Sequence, residues 1–177
     1  VDNTESQIPD VSAFNEDNPI TSGLQHVAFP FPGYMVETPS SKTTFTPLVR
    51  TTKSGGTIPA KDIWDPTAMM FGGRQLNQYR QTKSEPDVSF ILAAQITGDL
   101  PKAEGSETAE ATDQSKKLNV VLVADTDLLC DGFFLIRERG SVEGGIDFDF
   151  DNVTFILNIL DSLSGDTEFI ELRKHRP

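Results

Sequence analysis

Lys116-Lys117-Leu118-Asn119-Val120-Val121-Leu122-Val123-Ala124-Asp125-Thr126-Asp127 is an apolar, β-rich run that stops abruptly at two acids. It reads as a buried strand feeding a helix, and in open α/β sheets ligands and catalytic groups collect at the carboxyl ends of strands. Fold and function both turn on this segment. The strand sets the class, and its acids are either chemistry or scaffolding.

Downstream, Leu129, Phe133 and Ile136 are spaced for one helical face over residues 127–139, and Gly140 closes that helix. Ile146, Phe148 and Phe150 then alternate with Asp147, Asp149 and Asp151, the pattern of an extended segment with one side buried. Over residues 152–163, Val153, Ile156, Leu157, Leu160 and Leu163 make an apolar helical stripe, with Asp151 or Asn152 as N-cap and Gly165 as C-cap. Phe169-Ile170-Glu171-Leu172 reads as a last strand.

Upstream, residues 24–29, 45–52 and 88–96 read as strands halted by Pro and Gly, and residues 1–18 as a polar lead-in loop or short helix. Residues 53–86 look like an irregular excursion over the core. Residues 102–117 hold no large apolar side chain and read as a mobile internal linker, long enough for the crossover that parallel strands require. The alternation of elements predicts a single layered α/β domain over residues 1–177.

Composition narrows the function. Acids outnumber bases 27 to 15, and the net charge of -12 repels phosphate backbones and anionic headgroups, so nucleic acid is excluded as a partner. Cys130 is the only cysteine, which rules out an internal disulfide. No window reaches the roughly 18 consecutive apolar residues of a membrane span, and no signal sequence opens the chain. Val1 at one end and the basic Arg173-Lys174-His175-Arg176 run before Pro177 at the other suggest a soluble fragment of a longer polypeptide.

The candidate chemistry is weak when each motif is weighed. Asp125 and Asp127 could hold Mg²⁺ as hard oxygen ligands, yet Asp127 is also placed to cap the following helix and Asp125 to bind loop amides. No downstream lysine and acid series of an aspartate-nucleophile phosphatase accompanies them. Cys130 lies past the strand without a glycine before it or a suitable histidine after it, which favours a buried inert thiol over a nucleophile. Asp147, Asp149 and Asp151 begin like a calcium loop, but Asn152 and Asn158 stand where an EF-hand needs Gly and Glu. Ser54-Gly55-Gly56-Thr57 lacks a phosphate-loop ending and reads as a turn, and His26 as a packed or edge histidine. Trp64 with Met69, Met70 and Phe71 could form an exposed contact patch, against the more ordinary reading of core packing.

Taken in order and spacing, Asn18-Pro19-Ile20-Thr21, Gly23-Leu24, Pro47-Leu48 within residues 45–51, Ala93-Ala94 to Gly98, residues 121–127, and Phe155, Asn158, Asp161, Leu163, Gly165-Asp166, Ile170 and Arg173 resemble a known family. It is the auxiliary proteins of uncharacterised ABC-type transport systems, which include the gliding-motility ABC transporter auxiliary component. The resemblance implies a Rossmann-like or glutamine-amidotransferase-like (flavodoxin-like) domain with a mostly parallel or mixed sheet and no amidotransferase triad. It also implies exposure on the extracytoplasmic, periplasmic side, a parent chain tethered by membrane helices, and transporter permease or ATPase subunits or another envelope protein as partners.

The expectation is therefore a non-catalytic domain without cofactor, acting through protein or ligand contacts. The alternatives are a Mg²⁺-dependent hydrolase using Asp125 and Asp127, and a glycan- or peptide-binding module using the Trp64 patch.

Overall fold

The computed structural model describes residues 12–39, 42–70, 72–73, 75–85, 87–99, 117–139 and 150–174. In chain order these form β1 (Thr44–Arg50), β2 (Gly56–Thr57), α1 (Ala60–Ile63), α2 (Pro66–Met70), β3 (Lys83–Ser84), β4 (Ile91–Asp99) and β5 (Lys117–Val123). A 3₁₀ turn (Asp127–Leu129) leads to α3 (Asp131–Arg139), α4 (Asn152–Ser164) and α5 (Glu168–Lys174). Two compact units result: Thr51–Phe90, and Ser12–Arg50 together with the described residues from Ile91 onward.

The larger unit holds a three-stranded sheet in the order β1-β4-β5, and both pairings are antiparallel. The Rossmann-like, amidotransferase-like layering with a parallel or mixed sheet is thereby overturned. Asp99 and Lys117 are register partners, and the ladder runs from them to Ala93 opposite Val123, so the chain returns beside the strand end it left. A segment the length of residues 100–116 permits a crossover but does not impose one. The apolar run of β5 also misled: Val121 and Val123 pack on the core, whereas Val120 and Leu122 are exposed, the half-wet alternation of an antiparallel strand.

The core joins Leu48, Val49 and Ala93 of the sheet to Ile20, Leu24, Leu128, Phe155 and Ile159. Helix α4 forms where its stripe predicts it, starting after Asp151 and ending at Gly165. Gly165 takes φ 83°, a left-handed value that glycine adopts without cost, and the Asp166 N–H returns to the Asp161 carbonyl at 2.9 Å, sealing the last turn. The buried face is not the stripe, however. Asn152, Phe155, Asn158 and Ile159 are buried while Leu160 and Leu163 are exposed, because the segment that α4 packs against needs hydrogen bonds as well as apolar cover.

Three local expectations also change. Residues 169–172 lie within helix α5 and not a strand: the Ile170 and Glu171 N–H groups bond back to the Thr167 carbonyl, and Lys174 Nζ meets Glu171 Oε1 one turn away at 2.7 Å. The helix foreseen over residues 127–139 is broken at Cys130, whose extended backbone separates the 3₁₀ turn from α3. Residues 24–29 run without a strand partner among the described residues.

In the unit Thr51–Phe90, β2 and β3 pair antiparallel. Gly56 opens β2 where a Cβ would collide with the Lys83 carbonyl oxygen, so the glycine that reads as a turn residue permits a close backbone approach. Residues 63–65 and 75–77 are tied by the Asp65 N–H to the Gln75 carbonyl and the Asn77 N–H to the Ile63 carbonyl. The linker foreseen over residues 102–117 lies outside the described residues, apart from Lys117, which opens β5.

Candidate functional site

Asp125 sits just past β5 with only 8 % of its surface exposed. Its two oxygens accept from backbone: Oδ1 from the Asp127 N–H at 2.9 Å and Oδ2 from the Phe31 N–H at 3.1 Å. One carboxylate thus shapes its own turn and fixes a distant loop to the strand end. Asp125 bonds loop amides as its position suggests, whereas Asp127 is exposed and opens a 3₁₀ turn whose N-cap, Thr126, makes no side-chain cap bond. Among the described residues no group of three or more His, Cys, Asp and Glu side chains stands close enough to hold a metal ion.

Polar side chains at the start of α4 and along it carry roles that the sequence did not show. Asp151 Oδ2 accepts from the Gln25 N–H at 2.7 Å and the His26 N–H at 3.1 Å, while the Asp151 N–H donates to the His26 carbonyl at 2.6 Å. Asn152 then grips Ala28 as a neighbouring strand would: its Oδ1 accepts from the Ala28 N–H at 2.9 Å and its Nδ2 donates to the Ala28 carbonyl at 2.8 Å. Nearly two turns on, Asn158 Nδ2 donates to the Ile20 carbonyl at 3.1 Å, and Asn158 Oδ1 accepts from Arg173 Nη1 at 3.0 Å. Arg173 Nη2 also pairs with Asp161 Oδ2 at 2.6 Å. Asp151, Asn152 and Asn158 are each no more than 2 % exposed.

This row explains why residues 24–29 read as a strand and join no sheet among the described residues: their backbone bonds go to the side chains of Asp151 and Asn152 and to the Asp151 N–H. Buried amides that satisfy backbone groups hold a segment in one register, and removing one strands a buried donor or acceptor. The signal available in the sequence was Asp151-Asn152 and Asn158 at helical spacing on an apolar helix, polar residues at positions a core helix fills with leucine.

An open pocket of about 330 Å³ lies beside this pinned segment. Its walls are mostly apolar and include Phe14, Val27, Phe29, Val49 and Leu92, with His26 and Arg50 as the chargeable members. Backbone contacts fix both sides: Phe14 bridges Val49, and the Arg50 N–H donates to the Ala13 carbonyl at 2.9 Å.

Cys130 is exposed and not the buried thiol expected. His26 is exposed. In the unit Thr51–Phe90, Trp64 is half-buried and bridges Leu76, while Met69 and Met70 are exposed at 56 % and 84 %, against the core packing foreseen for them. Phe71, Asp147 and Asp149 lie outside the described residues.

A short antiparallel sheet backed by α4, with its strand-end acid bound to backbone and an open apolar pocket beside it, defines an α+β domain. The chain belongs to the family described as ABC-type uncharacterized transport system, whose model matches residues 6–159. No curated protein and no solved structure matches it. Among the described residues no helix is long and apolar enough to cross a membrane.

Proposed function

We propose that this chain is a non-catalytic domain of an ABC transport system's auxiliary protein, working by contact with a protein or ligand on the extracytoplasmic side of the membrane. The observation that carries this reading is Asp125: both oxygens of the strand-end carboxylate accept backbone N–H bonds and only 8 % of the residue is exposed, so the position best suited to catalysis serves folding. A general base or metal ligand needs a lone pair aimed at substrate. Asp127 is exposed, and among the described residues no group of three or more His, Cys, Asp and Glu side chains stands close enough to hold a metal ion.

Membership of the family supports transporter permease or ATPase subunits, or another envelope protein, as the partners, with membrane attachment through helices of a parent chain. Two experiments test this. The purified chain with Mg²⁺ is expected to turn over no phosphomonoester or ester substrate, and turnover abolished by Asp125→Ala would overturn the reading. Crosslinking in membranes is expected to recover the chain with the permease or ATPase, and recovery from the cytosol alone would contradict the placement.

A further inference from the structure

The pinned segment is satisfied along one edge only. His26 and Ala28 turn their N–H and C=O groups to Asp151 and Asn152, with one residue between them. That residue is Val27, whose backbone N–H and C=O make no hydrogen bond among the described residues. Backbone groups that are half-buried and unpaired are a template for a further strand. The apolar pocket is lined by this same segment, residues 25–29.

Arg50 supplies the second, independent observation. It lines the pocket from the end of β1, is half-buried, and its guanidinium has no hydrogen bond or ion pair among the described residues. An arginine without a partner at the rim of an apolar pocket attracts an anion locally, against the chain's net charge of -12, and its planar fork fits a carboxylate.

We propose that residues 24–29 bind an extended peptide by strand addition, the peptide pairing with the Val27 backbone, placing an apolar side chain in the pocket and a carboxylate on Arg50. This mode draws affinity from main-chain bonds and specificity from the pocket. It rests on the contact function proposed above and names where the contact is made.

The test uses amide NMR spectra of the whole chain with a short acetylated peptide of alternating threonine and valine carrying a free C-terminal carboxylate. The Val27 amide is expected to move downfield and saturate. Amidating the peptide's carboxylate, or Arg50→Gln, is expected to weaken binding roughly tenfold each, with Arg50→Lys recovering part of the loss. Methylating the peptide's alternate amide nitrogens is expected to abolish binding, and this arm leaves the protein unaltered. A Val27 amide that stays in place at millimolar peptide overturns the proposal, as does equal binding by the carboxylate and amide forms. Decanoate shifting the pocket resonances where the peptide does not would reassign the site to an acyl carboxylate and equally overturn it. Either failure leaves the absence of turnover to be judged by its own assay.

Discussion

Asn152 and Asn158 are the side chains on which residues 20–28 depend, and their replacement should cost more than that of the leucines on the same helix. Asn152→Ala leaves both backbone groups of Ala28 without their partners, and Asn158→Ala removes the acceptor of Arg173 along with the bond to Ile20. Each is expected to lower stability by about 2 to 4 kcal/mol, as buried polar groups lose partners. Leu160→Ala, at a position 57 % exposed, is expected to cost about 1 kcal/mol or less. Urea unfolding of the three variants checks the order. A costlier leucine would show that the apolar stripe, and not the polar row, faces the core.

At the level of elements, the short glycine contacts and the edge strand carry the sharpest expectations. Gly165→Ala forces a Cβ into a left-handed turn in otherwise open space, and is expected to cost about 1 to 2 kcal/mol, read as a lowered melting temperature. Gly56→Ala meets backbone directly, so β2 and β3 must separate or shift. Limited proteolysis is expected to cut within Thr51–Phe90 faster in that variant than in the parent. Leu122→Thr, on the exposed face of β5, is expected to change unfolding free energy by about 0.5 kcal/mol or less.

The elements also show where sequence and structure part. Helix α4, its Asp151 start and its Gly165 stop were legible, because caps and 3.6-residue spacing are local properties. The strands β1, β4 and β5 were legible to within a few residues for the same reason. Their direction was not, since parallel and antiparallel partners present similar apolar runs when one strand face is only half exposed. Residues 24–29 read as a strand but join no sheet among the described residues, and nothing local announces that their hydrogen bonds go to Asp151 and Asn152, more than a hundred residues away. Residues 169–172 show the reverse failure: a β-branched, aromatic quartet is overruled by the Thr167 carbonyl and the ion pair of Arg173 with Asp161.

For the whole molecule, family membership and chemistry point the same way. The proposed contact role draws on an acidic chain whose strand-end acid bonds to backbone and whose α4 amides fix a segment beside an open pocket. Its charge sets a further expectation: capture by a partner should be weakened by salt if basic partner groups meet this chain, since screening shortens to about 3 Å at molar ionic strength.

The central claim, that Asp125 is scaffolding, is tested most directly by comparing the parent chain with Asp125→Ala in two readouts on the same samples, calorimetric titration with Mg²⁺ and urea unfolding. The account predicts no metal-binding heat at millimolar Mg²⁺ for either protein, and a loss of about 1 to 3 kcal/mol in the variant as the Phe31 and Asp127 amides lose their acceptor. Mg²⁺ binding by the parent that disappears in a variant of unchanged stability would contradict it.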